Sequence, residues 1–569
     1  MIRRTEKGLC IESPTTKIEI VEGRLISIRS AVTGEEYLDQ GLQTGVPAFD
    51  LYHQVGKASS VGVHPLASKF HYKILTDRIA EMVLDDWECD VSVRISIDDA
   101  TGDIVLEPSA WTMQGGVAGL GMHVSGIRAD LDLVAPFQQG IRGKLGEAHV
   151  QGTHANWPKQ WEAAVVVLAG EASGFAVQAH DSHFIHKGLH VGHEKSPQTV
   201  TFVTFAEGPL EMNRCVGNVA WRISAWEGDY QAPFLQYRDW YWNTYDLGTA
   251  AALRPEWLDR IALAVSWCPT NLDLLDALAT KVKPDNIFLH LPHWRAHKYD
   301  QDYPTFVPSA EGRAFIAKAL AMGFHVSPHT NFCQVSPDHP FFHQARDFCT
   351  RTPTDIRWVT WSWLPVEGWR NAGPPQSYST MAAVKDWNVL LDVHTAWSPW
   401  RRHLTREIAD LISETGIDSV FVDVVHHVHN SDNAHLEGLS QPEGSLKLAR
   451  EVAELAPGLC VAGEGRNEIT TQYVSMAQFH LYSYAHALAM DGKDVSWLAR
   501  STVPVSGLMF DGLSRGIGYH YGKGDARRVM LDATLAQGAI PTLIFATDDP
   551  VLELEGEECR YLLDHVDLT

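Results

Sequence analysis

No two of the eight cysteines in this 569-residue chain stand in a C-x-x-C pair. Cys10, Cys89, Cys215, Cys268, Cys333, Cys349, Cys460 and Cys559 are scattered, so neither a zinc knuckle nor a disulfide framework is indicated. Long apolar runs are missing as well: nothing approaches the ~20 residues a membrane helix needs. The basic start MIRRTEKGLCIESPTTKIEI has no apolar stretch behind it, which makes the cytoplasm the expected compartment. Positive charge is scarce. With 46 Lys and Arg against 70 Asp and Glu, the net charge of -24 excludes a partner gripped by its phosphate backbone. What is present is the balance of a globular protein, 45% hydrophobic and 20% charged, in a chain too long for one core. Nineteen tryptophans supply flat apolar faces with an N–H donor, suited to stacking on sugar rings or to filling a large aromatic core.

The first 240 residues read as β. Val91 to Ile97 alternates apolar and polar, Thr201 to Phe205 does so more loosely, and KIEIVEGRLISIRS reads as two strands about a Glu22-Gly23 turn. An antiparallel β-sandwich over 1–240 is the economical architecture. From 241 to 569 apolar β runs alternate with amphipathic stretches, the pattern of β/α units on a parallel sheet. Strands are predicted at 261–267, 286–291, 324–330, 419–425, 459–463, 478–482, 507–510 and 541–545, eight in all, the number that closes a (β/α)8 TIM barrel. Between the third and fourth runs lies a Trp-rich insertion, 332–400, placed to roof the barrel's C-terminal mouth. Trp361, Trp363 and Trp369 are its candidate stacking faces, with mutual packing as the alternative.

Two short segments carry the chemistry. In GIDSVFVDVVHHVHN an apolar strand runs into Asp423, and in GLCVAGEGRNE another ends in Glu464 between two glycines that would let a ligand approach the backbone. The two end consecutive strands, so both carboxyls belong to one mouth. Glycoside hydrolysis needs such a pair, one to attack the anomeric carbon and one to protonate the leaving oxygen and then activate water. A helix-capping Asp423 and a salt-bridged Glu464 are the structural alternatives.

Over about 255–548 the chain resembles the α-amylase clan and its uncharacterised barrel relatives, which implies Asp423 as nucleophile and Glu464 as acid/base. PWRRHLTREIADLISETGIDSVFVDVVHH carries His427 four residues beyond Asp423, as in that clan, and MGFHVSPHTNFCQVSPDHPFF is similar to its third-strand motif, which implies His329 and Asn331 in the site. Phe421 stands where the clan has an arginine, and MFDGLSRGIGYHYG matches the seventh-strand motif loosely, implying Asp511 as the third carboxylate. HLPHWRAHKYDQDYPTFVP resembles the loop after strand two of such barrels and offers Trp294, Asp302 and Tyr303 as substrate contacts. The expected ligand is an oligosaccharide or glycoside, without cofactor or metal, and a homo-oligomer is compatible with this reading. Two other readings stay open. The missing arginine suits a sugar-binding barrel without catalysis. His290, His293, His325, His329, His426, His427 and His429 near strand ends suit a metal-dependent barrel hydrolase.

Overall fold

The computed structural model describes residues 1–566 except 43–44, 55–60, 66–68, 87–88, 194–195, 355, 363–388, 481–484, 486–487, 490–491 and 519–523. It divides into two compact units, one of residues 1–245 with 353–355 and 430–432, the other of the remainder. Among the described residues no helix is long and apolar enough to cross a membrane.

The first unit is built from antiparallel sheets. Ile2–Arg4, Gly8–Glu12, Thr16–Val21 and Arg24–Ser30 form a four-stranded meander. Its last hairpin turns at Glu22 and Gly23, whose φ of 49° and 69° are the left-handed pair that matches the twist of the flanking strands. A ten-stranded sheet includes Cys89–Ile97, Ile104–Thr112, Ser173–Ala179 and Trp221–Glu227. A six-stranded sheet includes Val117–Ser125, Lys187–His193 and Ser196–Phe205. Alternation decides which face is buried: in Cys89–Ile97 the side chains of Val91, Val93, Ile95 and Ile97 are buried, with polar residues between them.

The second unit is a ring of parallel strands. These are β1 (Leu263–Val265), β2 (Ile287–Leu291), β3 (His325–Asn331), β4 (Ser419–Asp423), β5 (Cys460–Glu464), β6 (Met476–Phe479) and β7 (Arg515–Gly518). The last, β8, is divided by Pro541 into Ala539–Ile540 and Thr542–Leu543. Its first half pairs with β7 and its second with β1, which closes the barrel. Each half serves a different neighbour, so the missing N–H of proline falls at the changeover. Most strands are buried throughout, as both faces of a barrel sheet are covered, and so read as continuous apolar runs.

Helices return the chain between strands, and their ends are encoded locally. Helix α1 (Leu272–Ala279) is capped by Asn271, which accepts from two N–H groups, and α2 (Ala310–Met322) by Ser309, with Gly323 in the left-handed conformation at its end. The 18-residue α3 (Ser398–Thr415) has Pro399 in its first turn. Helix α4 (Gln441–Ala453) opens with a capping box between Ser440 and Glu443.

The seventh strand lies elsewhere than the sequence suggests. Residues 505–510 form helix α5 (Val505–Phe510), and the strand follows at Arg515–Gly518. A short apolar run fits either state, and VSGLMF lies behind Pro504, which suits a helix start. The 332–400 insertion contributes a small antiparallel sheet of Gln334–Val335, Thr360–Ser362 and Val389–Asp392.

Candidate active site

The register of β4 against β5, Val422 opposite Gly463, brings Asp423 and Glu464 side by side at the C-terminal end of the barrel. Their carboxyls are close enough for each to act on the other's ionisation. Burial pushes Asp423 well above the usual carboxylate range, and the charges of Glu464 and Asp300 add to it. Burial acts on Glu464 in the same sense but is outweighed, because His480 Nε2 lies 3.1 Å from Oε1 and His426 Nδ1 3.4 Å from Oε2. Glu464 is therefore held well below its usual range.

The backbone turns sharply to make this contact. Val424 has φ 52°, a left-handed conformation that a β-branched residue adopts only at a strain of about 1–3 kcal/mol. In return its N–H donates to Glu464 Oε2 at 3.1 Å. Trp267 (φ 54°) after β1 and Asp300 (φ 56°) after β2 are strained in the same way. The glycines beside Glu464 have structural reasons of their own: a Cβ on Gly463 would stand 2.6 Å from Val425, and Gly465 has φ 63°.

A chain of neutral imidazoles leads to Asp423. The backbone N–H of Trp267 is only a donor, so at 3.4 Å it fixes His290 Nδ1 as the acceptor and puts the His290 proton on Nε2. That Nε2–H donates to His329 Nδ1 at 3.0 Å, leaving the His329 proton on Nε2, 3.5 Å from Asp423 Oδ2. Burial pushes His290 down to about 3 and His329 well below its usual value, so neither ring is charged near neutral pH. Phe421 stacks on both rings, with centroids 4.0 and 5.2 Å away. An arginine at that position would have to enter this stack.

The loop after β2 adds residues that the sequence does not single out. Tyr299 lies 5.1 Å from the Trp267 ring and 5.0 Å from His329, and burial together with Asp423 and Asp300 raises its phenol well above its usual range. Buried Arg295 shapes the loop by donating to the carbonyls of Lys298, Gln301 and Thr305. His480 was obscured by the placement of the sixth strand: a run ending at 482 puts it inside the strand, whereas β6 ends at Phe479.

Of the sequence-derived candidates, Asp423, Glu464 and His329 come together and the others do not join them. Trp294 is fully buried and its indole N–H donates to the His329 carbonyl at 2.9 Å, so it supports β3 rather than facing a ligand. Tyr303 is fully buried with Arg295 over its ring at 4.1 Å, and Asp302 pairs with His297 at 3.3 Å. Asn331 closes a turn by accepting from the N–H groups of Cys333 and Gln334. His427 Nδ1 meets Asp392 Oδ2 at 3.0 Å, the oxygen His429 Nε2 also reaches at 2.9 Å. Asp511 follows α5 and precedes β7, so it stands at the N-terminal end of the barrel, its side chain 74% exposed and 3.9 Å from Arg466. It is not a third carboxylate of the mouth. Trp361 lies on a described strand, while Trp363 and Trp369 fall outside the described residues.

Among the described residues two groups of side chains bring donor atoms within 4.8 Å of one another, as a cation requires: Asp300, His329 and Asp423 in the mouth, and Cys333, Asp392 and His427 beside it.

No protein-family profile and no curated protein matches the chain. Among solved structures it is similar to the ligand-free α-N-acetylgalactosaminidase NagBb of Bifidobacterium bifidum, with TM-score 0.66 and 13% identity over 98% of this chain and 93% of that one. The complex of that enzyme with Gal-NHAc-DNJ gives TM-score 0.65 at 13% identity over the same shares, and its GalNAc complex 0.64 at 13% over 93% and 92%. At such identity the likeness shows the fold. It does not point to the α-amylase clan specifically, and what it shares with this chain is a barrel of the kind that a glycosidase uses.

Proposed function

We propose that the chain is a retaining glycoside hydrolase or transglycosidase, with Asp423 as nucleophile and Glu464 as general acid/base. One observation carries this reading: two carboxyls stand side by side at the C-terminal ends of neighbouring barrel strands. A retaining reaction needs such a pair, one carboxylate to attack and one acid to protonate the leaving oxygen. Once substrate is bound, the reaction needs the proton on Glu464 and the charge on Asp423, the reverse of the directions in which the free protein biases the two groups. Asp423 then attacks the anomeric carbon while Glu464 gives its proton to the departing oxygen. Glu464, now a carboxylate, takes a proton from water, which displaces Asp423. Retention calls for carboxyls about 5–5.5 Å apart and inversion for roughly 6.5–9.5 Å, and the anomer first released, read by NMR, tests the retaining assignment. The negative field of Asp300 suits the positive charge that develops on the sugar ring.

The GalNAc complex of NagBb makes aryl α-N-acetylgalactosaminides the substrates to try first, followed by other α- and β-glycosides. Turnover should vanish in Asp423→Asn and Glu464→Gln without loss of folding. Azide should rescue Asp423→Gly with an inverted glycosyl azide as product, and rescue at position 464 with that product would exchange the roles. The same reading takes the insertion as a cover for the mouth, with Trp361 and Trp363 as stacking faces. It takes the N-terminal sheets as a sandwich, supported by Phe202 and Trp221, which belong to different sheets and meet at 5.3 Å. A metal-dependent hydrolase is the second reading, favoured by the Asp300, His329 and Asp423 donors. Loss of activity in EDTA, restored by a divalent cation, would promote it.

A further inference from the structure

Outside the barrel, the first unit has a cleft of about 650 Å3, a size typical of small-molecule sites. Its floor is the outer face of the ten-stranded sheet. In the strand Ile104–Thr112 the neighbours Ala110 and Thr112 are buried, and alternation turns Trp111 outward, leaving it 50% exposed. Cross-strand partners point to the same side, so Asp90 and Cys215 flank Trp111 in one row, and Ser92 and Ser109 face each other in the next. Glu207, Asn213 and Asn218 add polar groups to the wall, and Ile185, Phe205 and Val216 are among its apolar part.

We infer that this cleft is a second carbohydrate-binding site, in which a neutral sugar ring stacks on Trp111 and its hydroxyls bond to Asp90, Glu207 and the neighbouring hydroxyl and amide groups. The chemistry of the lining selects that ligand. An indole face left in water suits a ring with one apolar side, and carboxylates among hydroxyls and amides suit a ligand rich in O–H donors. No lysine or arginine is among the described lining residues, which disfavours an anionic ligand. The cleft does not depend on the barrel's catalysis, so the two can fail separately.

Cys215 supplies a local probe, because it is the exposed one among the described free cysteines and stands beside Trp111. The full chain carrying Asp423→Asn is alkylated with N-ethylmaleimide, and the Cys215 peptide is followed by mass spectrometry. The runs contain methyl α-galactoside, methyl α-N-acetylgalactosaminide, lactose or maltotriose at millimolar concentration. At least one sugar should slow alkylation threefold or more, and Trp111→Ala should abolish that protection while the melting temperature holds. Unchanged alkylation with every sugar would overturn the inference. So would protection that survives Trp111→Ala, or protection by choline in place of the sugars, which would mark a cation site. A Trp111→Ala chain that melts early makes the indole a packing element and overturns it too.

Discussion

Replacing Asp392 by Asn tests how the mouth is held. The carboxylate is fully buried and accepts three hydrogen bonds, from Gln334 Nε2 at 2.7 Å and from the rings of His427 and His429. Despite burial, which acts against it, His427 and His429 hold its pKa far below the usual range. Asparagine keeps the shape but removes the charge, and its amide N–H groups cannot accept from either ring. Breaking a buried pair from one side costs about 3–5 kcal/mol. At roughly 2 °C per kcal/mol for a large domain, the barrel should melt about 6–10 °C lower. The sign with pH is fixed. A carboxylate whose folded pKa is depressed stabilises above its unfolded pKa of about 3.9, and that stability is lost as pH falls through the folded value. The deficit of Asp392→Asn should therefore be full at pH 5–7 and shrink below about pH 4. Activity should fall as well, since the same histidine segment carries His426 to Glu464. Differential scanning fluorimetry across pH and an aryl-glycoside assay read both. A variant that melts within about 1 °C of the parent at pH 6 would show that Asp392 does not pin these histidines.

His480→Gln removes the strongest influence opposing burial at Glu464, so the pKa of Glu464 should rise; the acidic limb of kcat/KM should move to higher pH, with turnover at least tenfold lower. An unmoved limb would separate His480 from the pair. In the first unit, Lys187 and Asp181 form an ion pair at 2.7 Å with both side chains 1% exposed. Lys187→Met strands the carboxylate and should lower stability by about 3 kcal/mol in urea unfolding, with Asp181→Asn, Lys187→Met together costing less than the sum. Asp511→Asn should leave kcat and KM within twofold of the parent, because its carboxyl is exposed at the far end of the barrel. A loss beyond tenfold would contradict that placement.

The legible parts of this molecule are those where one local rule decides. Strands β4 and β5 are covered on both faces, so SVFVD and CVAGE stand out as apolar runs ending in acids, and the adjacent carboxyl pair could be named from them. Strand β7 could not. Its sequence RGIG is half glycine, and at Gly516 the Phe479 ring occupies the place of a Cβ, within 2.0 Å, a demand made by a residue on another strand. That Asp300 stands beside Asp423 was hidden for a similar reason. Asp300 and Asp302 lie two apart in HKYDQDYP, and which one turns inward depends on backbone angles set by Arg295 and its three carbonyls. Tryptophan count misled in the opposite direction: Trp294 and Trp400 are wholly buried.

The divided last strand also bears on how the protein is made. Ring closure joins Leu543 to Val265, so the barrel's earliest strand keeps an open edge until its latest one has been synthesised. During translation at roughly 5–20 residues per second, β1 and β7 both wait with unpaired backbone groups, the kind of edge that recruits other chains. Residues 1–245, which carry the sheets of the first unit, emerge long before and can fold as the ribosome continues. The second is committed only when the segment around Pro541 emerges, which makes that seam the point where nascent barrels are most exposed to mispairing.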